Sequence, residues 1–133
     1  MKQAGKAAKV IDGNCETRSF DPKAVTAAVA TLPEEHDVNV VAEYLGMLAH
    51  PSRIRLLIAL DGRELCVCDC AQVLGAKMPA TSQHLRELRR IGAITFRAEG
   101  KMAYYRIADR RWIDIAQAAH LIVQQPALAR VSA

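Results

Sequence analysis

The chain is predicted to fold as a mainly α winged helix-turn-helix of the α+β class. Three observations carry that reading. Apolar residues recur at helical spacing through most of the chain; two helical stretches are separated only by Gly75-Ala76-Lys77-Met78; and after Gly92 the spacing switches to alternation. With 133 residues there is enough chain for one domain with a core and too little for two independent ones. The expected organisation is a mobile N-terminal arm over 1–20, a DNA-binding and dimerisation domain over 21–125 and a tail over 126–133.

The polar, glycine-containing stretch from Met1 to Asn14 gives the arm its expected mobility. Asp21-Pro22 supplies an N-cap and a first-turn proline for a helix with Val25, Ala28, Val29 and Leu32 on one face, ended by Pro33. Asp37 is expected to cap a second helix, with Val40, Val41, Tyr44, Leu45 and Leu48 apolar, and His50-Pro51-Ser52 punctuates it. A third opens at Pro51 or Ser52, turns Ile54, Leu57, Ile58 and Leu60 inward and closes at Asp61-Gly62. Leu65 to Leu74 reads as a short helix stopped by Gly75, and Pro79 to Ile91 as the next, stopped by Gly92. Ile94 and Phe96, then Ala103, Tyr105 and Ile107, alternate around Glu99-Gly100-Lys101, the pattern of a β-hairpin wing. From Asp109 a last helix carries Trp112, Ile113, Ile115, Ala116, Ala119, Leu121 and Ile122 before Pro126. Its apolar surface is too broad for a lone surface helix, which suggests a dimer interface shared with the first helix.

A net charge of +4 and a pI near 9.0 make a polyanion a natural partner. Four Cys in a chain without a signal peptide or an apolar run of spanning length suggest a reducing cytoplasm and no membrane partner, and clustered thiols there are metal or redox groups. The cluster is Cys66-Val67-Cys68-Asp69-Cys70. Thiolates select Zn(II), Cu(I) and softer ions, including Cd(II), Pb(II) and trivalent As or Sb. Residues two apart on an ideal helix point to nearly opposite sides, so Cys66 and Cys68 converge only where the segment starts non-helically, whereas Cys66 and Cys70 share a helical face. One short segment does not close a four-ligand shell, and Cys15 on the arm is the obvious further thiol. Cys70 falls among Ala71, Val73 and Leu74, where burial in the core is the competing role.

The segment Pro79 to Arg90 has small and hydrogen-bonding residues at its first turns, then Leu85 and Leu88, an arrangement suited to a recognition helix in the major groove of double-stranded DNA. Thr81, Ser82, Gln83 and His84 are the candidate base contacts, and Arg86, Arg89 and Arg90 candidate phosphate or ion-pair partners. On the hairpin, Arg97, Lys101 and Arg106 are placed to meet the minor groove or the phosphates.

Glu64-Leu65-Cys66-Val67-Cys68-Asp69 resembles the metal box of the ArsR/SmtB family of winged-helix metal-sensing repressors. Ala49-His50-Pro51-Ser52-Arg53, Ser82-Gln83-His84-Leu85 and Glu99-Gly100-Lys101-Met102-Ala103-Tyr104-Tyr105 extend the likeness over roughly Val38 to Val123. The resemblance implies a homodimer that holds operator DNA when metal-free and releases it when loaded, derepressing efflux or resistance genes. Asn14-Cys15-Glu16 and Phe20-Asp21 are similar to the arm of the cadmium/lead-sensing branch. That likeness implies Cys15, Cys66 and Cys68 as ligands for Cd(II) or Pb(II), with Zn(II) also open, while Ser19 stands where the branch often has a second arm thiol. An As(III)- or Sb(III)-responsive repressor is the alternative, with Cys70 as its extra sulfur. The branch that binds Zn(II) between its last helices has an Asp-X-His start and a later His-X-X-Glu, and only Asp109 and His120 survive here.

A thiol redox enzyme is the rival of another class. The chain lacks a Cys-X-X-Cys pair and a glycine-rich cofactor loop, and His50, His84 and His120 form no nucleophile–base signature, so no enzyme activity is expected. A winged helix with incidental thiols is the second rival.

Overall fold

The computed structural model describes residues 21–124. The expected arm, with Cys15 and Ser19, and the expected tail lie outside the described residues. Two compact units divide the chain, one ending at Ala42 and one beginning at Glu43.

In the first unit, α1 (Pro22–Ala30) starts as its sequence dictates: Asp21 is extended and its carboxylate accepts from the Lys23 and Ala24 N–H groups at 3.0 and 3.3 Å. No residue of α1 is buried. α2 (Glu35–Leu48) begins two positions before the expected cap; Asp37 lies in its first turn beside Glu35, where carboxylates complement the helix dipole.

The second unit holds the C-terminal end of α2, then α3 (Pro51–Ala59), β1 (Leu65–Cys66), α4 (Val67–Leu74), α5 (Met78–Arg90), β2 (Ile94–Glu99), β3 (Met102–Ile107) and α6 (Arg110–Gln124). Its core gathers Leu48, Leu56, Leu57, Leu60, Cys70, Leu74, Leu85, Leu88, Ile91, Ala93 and Ile94, with Met47, Leu65, Val67, Tyr105, Ile107 and Trp112 packed around them. Burial of such side chains is worth about 1.5–3 kcal/mol each, which is why the helices stay packed despite their shortness.

α4 and α5 form the helix-turn-helix. Gly75, at φ +63, terminates α4, and the Ala76 N–H returns to the Ala71 carbonyl at 3.1 Å, so the chain reverses within three residues into α5. After Gly92 the wing follows, with Ile94 opposite Ile107 and Glu99 opposite Met102 around a tight turn at Gly100. One correction concerns Leu65 to Leu74. Leu65 and Cys66 are not helical; they pair with Tyr105 and Tyr104, so the sheet has the antiparallel order β1-β3-β2. This two-residue strand joins the thiol segment to the wing.

α6 buries Ile113 and Ala116 and stacks Trp112 against Tyr44, ring centroids 6.0 Å apart. Leu121, Ile122 and Val123 remain 60–65% exposed. None of the described helices is long and apolar enough to cross a membrane.

Candidate functional site: a thiol pair at the edge of a DNA-reading unit

Cys66 ends β1 and is the N-cap of α4, with extended backbone (φ −82, ψ 173). This is the non-helical start that the Cys-X-Cys spacing needs for convergence, because Cys66 is freed from the helical rotation that sets Cys68's direction. Asp69 fixes the junction: its carboxylate accepts from the Cys66 N–H at 3.4 Å, and the Asp69 N–H faces the Cys66 sulfur in the reciprocal half of a capping box. Cys66 is buried and Cys68, in the first turn of α4, is exposed.

Cys70 differs. It is fully buried within the leucine core, and burial, reinforced by the neighbouring Cys66 and Asp69, pushes its thiol up to about 11. A thiol held protonated among leucines suits packing better than ligation. Among the described residues no three His, Cys, Asp or Glu side chains come together as a metal-ready group. Cys66 and Cys68 fit a soft cation in donor chemistry, Cys68 exposed and Cys66 buried beside it, and they supply two donors of the three or four such an ion takes. Just before the last helix, Asp109 accepts from Arg111 at 3.0 and 2.8 Å, which holds its carboxyl below the usual range, and His120 is exposed on α6.

On α5 the sequence candidates separate into two faces. Thr81 is fully buried and its hydroxyl donates to the Lys77 carbonyl at 2.9 Å, so it does not face DNA. Its spacing to Leu85 and Leu88, four and seven positions on, was the signal that it shares the core face. His84 is half-buried, its Nδ1 accepting from Arg53 Nε at 3.2 Å and its ring 4.3 Å from that of His50. Burial first, then His50 and Arg53, holds its pKa below the ordinary histidine value. His84 therefore anchors α5 to α3, while His50 caps α3 by accepting from the Ser52 N–H at 3.1 Å and Arg53 also donates to the Met47 carbonyl at 2.8 Å. No local sequence pattern marks His50 and Arg53 for these contacts.

Ser82 is half-exposed, and Gln83, Arg86, Arg89 and Arg90 are exposed. Gln83 accepts from Arg86 and donates to Glu87 at 3.2 Å, and Arg90 lies 3.6 Å from Glu87. Arg89 packs its guanidinium 4.6 Å from the Phe96 ring centroid, joining α5 to the wing. On the wing, Lys101 is exposed at the tip, whereas Arg97 is engaged by both Glu64 and Glu99. An outward face of Ser82, Gln83, Arg86 and Arg90 with a cationic wing tip is what a helix seated in the major groove presents.

Residues 50–95 match the profile of the arsR family of bacterial regulatory proteins. The Synechocystis protein described as a transcriptional repressor SmtB homolog is 40% identical over 75 residues, which span 56% of this chain and 57% of that protein. A Staphylococcus aureus protein described as a cadmium resistance transcriptional regulatory protein CadC homolog is 30% identical over 109 residues, 80% of this chain and 88% of its own length. Among solved structures, M. tuberculosis Rv0081 superposes with a TM-score of 0.65 at 30% identity, covering 74% of this chain and all of that one.

Proposed function

For a chain that belongs to the arsR family of bacterial regulatory proteins, and so is a winged-helix DNA-binding transcriptional regulator and not an enzyme, we propose the role of a metal-responsive repressor released from operator DNA by a thiophilic cation. Cd(II) is the inducer that the likeness to the cadmium resistance CadC homolog favours, and Pb(II) and Zn(II) share its preference for the thiol pair. The observation that carries the reading is Cys66 at the end of a strand with exposed Cys68 opening the adjoining helix.

Metal-free protein grips DNA through phosphate neutralisation by its Arg and Lys residues, Arg86 among them, and Ser82 and Gln83 contribute base-edge contacts. Two such chains, joined through the exposed apolar end of α6, present paired recognition helices to a two-fold operator. Cys66 and Cys68 provide two sulfur donors. Cys15, outside the described residues, enters the proposed donor set from the sequence alone. A bound cation supplies a cross-link that only deprotonated thiols make, so loading releases protons and weakens in acid. Because the cation must prefer the DNA-incompetent arrangement, coupling of about 1–3 kcal/mol gives roughly 5–150-fold loss of DNA affinity.

Titrating the protein, bound to DNA from its own upstream region, with Cd(II), Pb(II), Zn(II) and As(III) tests this while thiolate-to-metal absorption is followed. Release in step with that absorption, strongest for Cd(II) or Pb(II), is expected. Release by As(III) alone transfers the inducer role to the arsenic-responsive alternative, and thiol-dependent turnover without release overturns the reading.

A further inference from the structure

The Arg97 side chain crosses the wing. It stands on β2 opposite Tyr104 of β3, and Tyr104 is in turn opposite Cys66 of β1. The guanidinium lies 4.9 Å from the Tyr104 ring centroid and continues to Glu64, two residues before Cys66. There Nε donates to both carboxylate oxygens at 3.0 and 3.2 Å, and a terminal nitrogen lies 3.0 Å from Oε1. The other terminal nitrogen is taken by Glu99, and Arg106 approaches Glu64 at 3.9 Å. The hydrogen bond from Arg97 holds the Glu64 carboxyl below its usual range.

A guanidinium committed to two carboxylates and an aromatic face is a poor phosphate clamp, since a phosphate would have to displace partners of its own charge. Exposed ion pairs of this kind add little to stability. Bidentate geometry does fix orientation, however, and β1 is only two residues long, so its ladder bonds alone tie it weakly to β3. From this crossing we propose that Arg97 is a positioning residue, a strap through which Glu64 carries rearrangement of the Cys66–Cys68 segment to the wing, and not a DNA contact. The inference rests on the metal-responsive reading above. Drawing Cys66 toward a shared cation shifts β1 and Glu64, Arg97 follows, and β2 with it; a wing cut loose from Glu64 keeps its DNA-bound pose.

The test compares full-length wild type with Arg97→Gln, Glu64→Gln and the double variant, using Cd(II) alone as probe. Thermal unfolding, Cd(II) affinity by thiolate-to-metal absorption, and DNA affinity with and without Cd(II) across a salt series are read for each. Expected are Cd(II) affinities within about 3-fold of wild type and an unchanged metal-free salt slope for Arg97→Gln. The Cd(II)-induced loss of DNA affinity should shrink at least about 5-fold in each single variant and no further in the double, the non-additivity of residues acting as one unit. A salt slope reduced by about 1 in Arg97→Gln makes Arg97 a phosphate contact and overturns the proposal. Wild-type release with undiminished release in the variants also overturns it and leaves the metal reading standing. Wild type that keeps its DNA on Cd(II) overturns both.

Discussion

The three thiols between Cys66 and Cys70 stand in different settings within five residues. Cys66 and Cys68 occupy a strand end and an exposed first turn, whereas Cys70 is fully enclosed by the leucine core. Its thiol ionises near 9.0 in an unfolded chain and only at about 11 in the folded one. Below pH 9 both states keep the proton; between pH 9 and 11 the unfolded chain loses it first, so stability falls as pH rises through that window. In urea unfolding from pH 7 to 10.5, the stability advantage of wild type over Cys70→Ala is expected to narrow above pH 9, while Cd(II) affinity of the variant stays near wild type. A constant gap, or a collapse of Cd(II) affinity, assigns Cys70 a different role. At this scale the sequence was only partly legible. Residue type marked Thr81 and His84 as polar reading groups, yet Thr81 lies on the Leu85–Leu88 face, where its hydroxyl is satisfied by its own helix, and His84 meets Arg53, 31 positions away in sequence. Helical periodicity held the first fact; the second depends on a contact no local pattern encodes.

Among the elements, the helices of the core, the Gly75 turn and the hairpin were legible because each rests on local chemistry: apolar spacing, a glycine in the left-handed region, alternation about Gly100. β1 was not. A two-residue strand has no period of its own, and its pairing partners Tyr104 and Tyr105 come some forty residues later. Asp69, three positions after Cys66, was the available sign that the helix begins at Val67 and that Cys66 is its cap. Gly75 carries the sharpest local demand. A Cβ there meets nothing within 4 Å, so its cost is backbone strain at φ +63 alone. Gly75→Ala should therefore destabilise the fold by about 1–2 kcal/mol, measured by chemical denaturation, and weaken DNA binding by changing the angle between α4 and α5. Unchanged stability would show that the turn relaxes out of the left-handed region.

For the whole molecule, the proposed regulation requires the candidate DNA face, the thiol pair and the proposed dimer surface to belong to one mechanical system. α5 is fastened to α3 through His84 and Arg53 and to the wing through Arg89 on Phe96, and the wing's middle strand is paired with the strand that ends in Cys66. Composition and spacing marked the candidate DNA-facing helix and the thiols, but the connection between them is made by β1 and Glu64 and exists only in three dimensions. The exposed Leu121, Ile122 and Val123 of α6 give the second copy its proposed seat. The most direct measurement is operator affinity with and without saturating Cd(II), in wild type and in a Cys66→Ser/Cys68→Ser variant. Wild type should lose about 5–150-fold in affinity on loading, while the variant binds metal-free with wild-type affinity and does not respond. A variant that still lets go of DNA on Cd(II) addition, as wild type does, would contradict the account.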